Sequence, residues 1–385
     1  MKIVIAPDSF KESLSALEVA DEIAAAFALH LPDAQFVKVP VADGGEGTVQ
    51  SMVDATGGQI IHKTVTGPMG KPVNAHYGIL GADSSFGENT AVIEMAAASG
   101  LHHVRAGERN PLLSSTHGTG ELICDALDRG IRHIILGLGG SATNDAGAGM
   151  IQALGYRLLD SEGRELAPGG ASLATLQCID ASGRHPALSE CSFDVACDVD
   201  NPLCGERGAS AIFGPQKGAT QAMVQQLDAA LAHFADTAIA QGFSDASQEA
   251  GAGAAGGMGF GVMTFLQGQL RPGVDIVMQA VGLAEKVAGA DLVITGEGRI
   301  DGQTVFGKTP MGVLRVARQH QVPVIGIAGC LGDGAEKMLE QGMSAIFDII
   351  PAASDLQQAL ANAKPNLHRA ASNVAAVWCL GKRGC

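Results

Sequence analysis

The last hundred residues alternate short apolar strands with amphipathic helices, and that rhythm limits the fold more than any other feature of the chain. Leu292 to Thr295, Val324 to Ala328 and Ala345 to Ile350 read as strands, with helices at Met311 to Gln319 and Ala335 to Gln341 between them. A last helix is expected from Leu356 to Leu380, with Pro365 as its break point. Such alternation indicates a parallel, doubly wound sheet. The first sixty residues keep the same rhythm. Ile3-Val4-Ile5 is a buried strand, and Ser15 to Glu18 is a capping box opening a helix with Leu17, Ala20, Ile23, Ala24 and Phe27 on one face. Phe36 to Val41 is the next strand and Gly47 to Ala55 the next helix.

From Gly57 the period changes. Ile60 to Val65, Val73 to Leu80 and Ala91 to Met95 are strands split by tight turns with no room for a helix, so this part is expected to be antiparallel. Thr119 to Arg129 reads as a helix, Ile134 to Leu136 and Phe193 to Cys197 as strands, and Ala219 to Ala240 as a long helix. The expected fold class is therefore α/β with two different α/β domains. Residues 1–60 and 286–385 form a doubly wound parallel sheet from both chain ends, and residues 61–285 form an inserted mixed-sheet domain.

Composition narrows the function. The formal charge is −15, a field that repels nucleic acid and anionic lipid, and Lys382-Arg383 is the one adjacent basic pair. Neither a nucleic-acid nor a membrane partner is expected. The N-terminal apolar run ends at Pro7 and Asp8, too short for a signal segment, and the uncharged stretch from Ala250 to Leu270 is diluted by glycine. The eight cysteines, Cys385 included, show no C-x-x-C and read as thiols of a reducing compartment, so a cytoplasmic protein is expected. Glycine is the outlier, 52 of 385 residues, and much of it gathers in loops at strand ends, where open α/β sheets bind ligands.

Six such loops can carry chemistry. Asp8 to Ser13 offers Ser9, Ser13 and Lys11 to an anion, or is an ordinary capping loop. Asp43-Gly44-Gly45-Glu46-Gly47-Thr48 sets two acids at a helix start, where the dipole also favours them, but three glycines in four residues exceed what a helix start needs. Gly137 to Gly149, G-L-G-G-S-A-T-N-D-A-G-A-G, has the design of a phosphate cradle, with Asn144 and Asp145 able to meet a metal or hydroxyl. Galactokinase and homoserine kinase type enzymes use a similar loop, but the rest of this chain is unlike theirs. Asp198 and Asp200 share a side if the chain stays extended, while Asn201-Pro202 is equally a turn signal. Gly251 to Gly259 suits a phosphate or a flat base, or close helix packing. Finally, Gly302 to Thr309 matches G-x-x-x-x-G-K-[ST] in full, yet it begins seven positions past the end of the preceding strand at Thr295 and Pro310 follows at once, so context opposes a true P-loop. Lys308 and Arg299 can still meet an anion. Together the loops suit magnesium-dependent phosphoryl transfer.

The motifs in their order resemble the bacterial type I glycerate kinase (glycerate 2-kinase) family: A-P-D-S-F-K-E-S-L (6–14), V-A-D-G-G-E-G-T (41–48), E-M-A-A-A-S-G-L (94–101), S-T-H-G-T-G-E-L-I (115–123), L-G-L-G-G-S-A-T-N-D (136–145), A-C-D-V-D-N-P-L (196–203), F-G-P-Q-K-G-A (213–219), G-A-G-A-A-G-G-M-G (251–259), L-V-I-T-G-E-G-R-I-D (292–301) and G-K-T-P-M-G-V (307–313). The resemblance covers nearly the whole chain. It departs at Ala146, where the family has Gly, a change expected to suit a helix start.

The resemblance implies a flavodoxin-like first domain, a site in the cleft between domains, and phosphoryl transfer from ATP with Mg²⁺ to D-glycerate. The product it implies is 2-phosphoglycerate, with 3-phosphoglycerate as the alternative, in glyoxylate or sugar-acid (glucarate, galactarate) breakdown by a monomer or homodimer. On that footing Asp198, then Asp8, is expected to orient or deprotonate the hydroxyl. Lys11, with Ser9, Asn201 and Arg299, would hold glycerate or neutralise the transferring phosphate. Asp43, Glu46 and Asp145 would take Mg²⁺, and Gly139, Gly140, Ser141, Lys217, Gly253, Gly256 and Lys308 the nucleotide. The competing readings are an NAD(P)-dependent oxidoreductase, from the G-x-G-x-x-G at Gly251, Gly253 and Gly256, and a non-catalytic sugar-acid sensor.

Overall fold

The structure is a computed structural model and describes residues 1–353 and 355–383; Cys385 lies outside them. The seven described cysteines are free thiols. Five parallel strands form the first sheet in spatial order Ala345–Asp348, Val324–Ala328, Leu292–Gly296, Lys2–Pro7, Gln35–Lys38. Counted along the chain this is 5-4-3-1-2, the flavodoxin-like order. It reverses between Lys2–Pro7 and Leu292–Gly296, so the carboxyl ends of those two strands flank a topological switch point.

Strand alternation explains how the sheet is covered. Ile3, Ile5, Leu292, Ile294, Ile325 and Ile327 turn to one face and pack on Val19, Ile23 and Phe27 of helix Ala16–Ala28 and Leu367 and Val374 of helix Ala363–Arg383. Val4, Ala6, Val293 and Val324 turn to the other face, against Val313 and Leu314 of helix Thr309–Gln319. Each fully buried Val, Leu or Ile contributes about 1.5–3 kcal/mol, so neither face can be left open. Helix Ala16–Ala28 starts on the expected capping box of Ser15 and Glu18.

The second sheet has six strands in the order Gln269–Arg271, Ser192–Ala196, His133–Gly137, Thr90–Glu94, Pro72–Ile79, Gln59–Thr66. The last three pair antiparallel, as expected, and the rest parallel. Two helices join the sheets. Val49 and Met52 of Thr48–Thr56, with Ile276 and Val277 of Gly273–Ala280, share one core with Val4 and Val293 of the first sheet and Val92 and Ile135 of the second.

The helix expected from Leu356 to Leu380 breaks at Asn362, between Leu356–Ala361 and Ala363–Arg383, and not at Pro365. Pro365 sits in the first turn of the second helix, where its missing N–H is one of the free donors anyway. Among the described residues, no helix is long and apolar enough to cross a membrane.

Candidate active site

The loop from Asp43 to Gly47 is held by backbone crossing backbone. Gly44 has φ +96°, and a Cβ there would lie 2.7 Å from Gly273 Cα, so only glycine fits. This close approach brings Asp43 against the start of helix Gly273–Ala280, whose first N–H, at Gly273, donates to Asp198 Oδ1 at 3.0 Å. Asp43 Oδ1 accepts from Gly45 N at 3.0 Å. Helix Thr48–Thr56 has glycine, Gly47, as its N-cap and no side-chain cap of its own. Glu94, ending a strand of the second sheet, supplies it instead, its Oε1 accepting from Val49 N at 2.9 Å. Burial raises the Glu94 pKa against that bond.

Four acids from the strand ends form one electrostatic group. Asp8 follows Lys2–Pro7 at the switch point, and its N–H donates to Gly296 O at 2.8 Å. Its carboxylate accepts from Thr309 Oγ1 at 2.5 Å and Ser9 N at 2.6 Å. Burial nevertheless pushes Asp8 up to about 6, and the charge of Asp43 adds to the rise. Glu297 follows Leu292–Gly296. Burial pushes it up to about 7, with Asp8 and Asp43 repelling it, while a bond from Thr304 and Lys308 Nζ at 3.8 Å hold it back. Asp198, past the strand end at Ala196, is raised by burial and then by Asp43 and Asp275. Asp43 thus acts on Asp8, Asp198 and Glu297 alike. Glu297 was not among the expected site residues. Its signal was its position one residue beyond a buried strand at the reversal of strand order, which exists only once the sheet is assembled.

Facing these acids is the turn Leu138 to Ser141. Gly139 and Gly140 are exposed, and a Cβ on Gly139 would meet nothing nearer than Gly45 Cα at 4.0 Å. The N–H groups of Gly139, Gly140 and Ser141 donate to no other described residue. They border a cavity of about 450 Å³ shared with Asp43 and Asp198 and walled by Leu101, Leu138 and Phe213. Lys217 lies beneath, fully buried, its Nζ donating to Ser141 Oγ and Thr143 O, each at 2.7 Å. Unpartnered N–H groups at a strand end, acids opposite and apolar walls between them form a receptacle for a polyanion with an apolar end.

Several expected site residues are elsewhere. Asp145 does not border the cavity. It is wholly buried, and its carboxylate accepts from Thr116 N (2.8 Å), Thr116 Oγ1 (3.0 Å), Gly149 N (3.2 Å) and Gly147 N (3.3 Å). Gly253 and Gly256 pack against backbone on either side of Ala254 and Ala255, which line the cavity. A Cβ would lie 2.3 Å from Pro202 O and 2.0 Å from Thr143 O respectively, so both clear the way for this chain's own backbone, and the oxidoreductase reading loses its fingerprint. Asn201 donates from Nδ2 to Arg207 O at 2.7 Å, tying its own loop. Asp200 turns away from Asp198 to an exposed pair with Arg207 at 2.9 Å. Arg299 is exposed and pairs with Asp301 at 3.2 Å, outside the cavity. Glu46, Ser9 and Lys11 open together into an adjacent hollow of about 450 Å³, across the glycine loop from Asp198.

Two backbone details also differ from expectation. Helix Thr309–Gln319 does start beside the P-loop-like string, with Lys308 as N-cap and Pro310 tolerated in its first turn, but a short strand at Arg299–Ile300 and a turn at Thr304–Phe306 come between it and the preceding strand. Ala146 is not at a helix start. Its φ is +51°, and the helix begins two residues later, at Ala148.

Among the described residues no three Asp, Glu, His or Cys side chains close on one point as a metal cage. A magnesium ion does not require one, because it is ordinarily bound by one or two carboxylates together with substrate phosphates and water. The mutual repulsion of Asp8, Asp43, Asp198 and Glu297 is the kind of field that a divalent cation relieves.

A model of the glycerate kinase family matches residues 3–379. The chain is 55% identical to a glycerate kinase of Bacillus subtilis strain 168, over 99% of both chains. It is 52% identical to the glycerate 2-kinase of Escherichia coli K12, over all of this chain and 99% of that one. A crystal structure from Salmonella typhimurium LT2, described there as a candidate glycerate kinase 2, superposes with a TM-score of 0.91 at 53% identity, covering 100% of this chain and 99% of that one.

Proposed function

This chain belongs to the glycerate kinase family, and from that premise we propose that its cleft moves the terminal phosphoryl group of ATP to the 2-hydroxyl of D-glycerate, giving 2-phosphoglycerate and ADP. One observation carries the proposal. Unpartnered N–H groups at Gly139 to Ser141 and the acids Asp43 and Asp198 border the same cavity, with Asp8 and Glu297 coupled to Asp43 from the switch point. Phosphoryl transfer needs that pairing, since catalysis there is mainly positioning and charge neutralisation.

The apolar walls at Leu101, Leu138 and Phe213 would take the base, and the Gly139–Ser141 N–H groups the phosphates. Asp198 has one oxygen fixed by Gly273 N, which leaves the other to accept the proton of the glycerate hydroxyl. Its raised pKa makes it a better proton acceptor than an ordinary aspartate. Magnesium would be held by Asp43 together with the phosphates, with Asp8 and Glu297 adding negative charge behind it, and would supply neutralisation of phosphate charge. Lys308, beside Glu297, keeps a cation at the same strand end. We place the reaction in the cytoplasm, where ATP is available.

The deciding experiment is ³¹P NMR of the product from D-glycerate, ATP and magnesium. A 2-phosphoglycerate resonance is expected. A 3-phosphoglycerate resonance overturns the regiochemistry, and no product overturns the reaction.

A further inference from the structure

Lys217 is 1% exposed, yet among the described residues no carboxylate pairs with its amine. The buried acid that acts on it, Asp145, is already occupied by four hydrogen bonds. Burial accordingly holds the amine down to about 7. A buried ammonium without a counter-charge is costly, and an apolar side chain of the same volume would fill the space without that cost. The stem is nonetheless clamped in place. Gly218, next in the chain, has φ +94°, and a Cβ there would lie 2.9 Å from both Arg109 Cβ and Arg109 O, while Arg109 Nη1 donates to Gln216 O at 3.1 Å.

The direction of the hydrogen bond to Ser141 carries the inference. In its charged form, which nearby phosphate charge favours, Lys217 only donates, so Ser141 Oγ accepts from it and the hydrogen of the Ser141 hydroxyl is left to point elsewhere. Ser141 borders the cavity beside the free N–H groups of Gly139 and Gly140. We propose that Lys217 is a positioning residue for the nucleotide: from below the loop it holds Ser141 as an acceptor, turning the Ser141 hydroxyl into a fourth donor to the ATP phosphates. The inference rests on ATP being the phosphoryl donor.

The test compares wild type, K217M, K217R and S141A by calorimetric binding of ATP and of adenosine, and by steady-state kinetics. K217M is expected to weaken ATP at least tenfold, the order set by losing a charge-assisted hydrogen bond. Adenosine affinity and the KM for glycerate should stay within about twofold. S141A should weaken ATP by about as much, and the K217M/S141A double variant little further, because the lysine acts through the serine. K217R, which keeps the charge and a donor, should recover part of the loss. Equal weakening of ATP and adenosine, or additive single losses, would assign Lys217 a structural role and overturn the inference. Unchanged ATP binding in K217M would overturn it too. S141A introduces no new bulk and keeps the question open to measurement even if K217M does not fold. Wild type that fails to bind ATP would instead overturn the reading of the whole cleft.

Discussion

Thr309 Oγ1 donates to Asp8 Oδ2 at 2.5 Å, joining residues 301 positions apart in sequence. Asp8 follows the first strand and Thr309 begins the helix after the third strand of that sheet, so the bond spans the switch point where the sheet order reverses. It is also the strongest single influence holding the Asp8 pKa down. Thr309→Val removes the bond while keeping the shape. Asp8 should then titrate above its present value of about 6, and the acid limb of the pH–rate profile should move to higher pH. An unmoved limb would mean that Asp8 does not set it.

Glu297 is raised to about 7 from the ordinary 4.5. In that interval the folded chain holds a proton the unfolded chain has lost, so stability falls as pH rises from about 4.5 to about 7 and stays lowered above it. Glu297→Gln removes the penalty. The variant should melt higher than wild type at pH 8, with the gap closing at pH 4, while turnover falls. Thermal melts at the two pH values check this; a variant that melts lower at pH 8 contradicts the sign.

Asp198→Asn should lower kcat by about a hundredfold or more, the usual scale for losing a general base. The KM for ATP should change little, because in the proposed arrangement Asp198 meets the glycerate hydroxyl and the Gly139–Ser141 turn meets the phosphates. Near-full turnover by a folded variant would show that another group takes the proton.

Two glycine substitutions should fail in opposite ways. Gly256→Ala places a Cβ 2.0 Å from Thr143 O at a φ of +71°, so the protein should be destabilised by about 2 kcal/mol or more. Gly139→Ala meets nothing nearer than 4.0 Å, so it should fold normally and lose ATP affinity. Urea melts alongside nucleotide titrations separate the two.

Ala146 holds a left-handed conformation, φ +51°, that costs an L-residue about 1–2 kcal/mol. Ala146→Gly should therefore raise stability by a good part of that amount, measured by urea denaturation, with kinetics unchanged.

Local pattern made much of this protein legible. The strands at both chain ends were readable because residues such as Ile3, Ile5, Ile294 and Ile327 must be buried whatever their partners. The Ser15–Glu18 capping box was readable because it closes within four residues. The antiparallel strands after Gly57 were set by tight turns between neighbours. The glycine loop at 43–47, the turn at 139–141 and Asp198 were visible as glycine or acid placed just past a strand.

Which of those groups are free was decided by tertiary structure. Asp145 and Asp198 look alike in sequence, but distant donors from Thr116 occupy the first and leave an oxygen of the second open. Gly139 and Gly256 are both glycines in rich runs, yet one borders a cavity and the other Thr143 of its own chain. Glu297 became a site residue only when Asp8 and Asp43 were brought beside it. The physical reason is range. Periodicity, caps and turns act within a few residues, whereas the burial, charge and unmade hydrogen bonds that define a site come from segments tens to hundreds of residues apart.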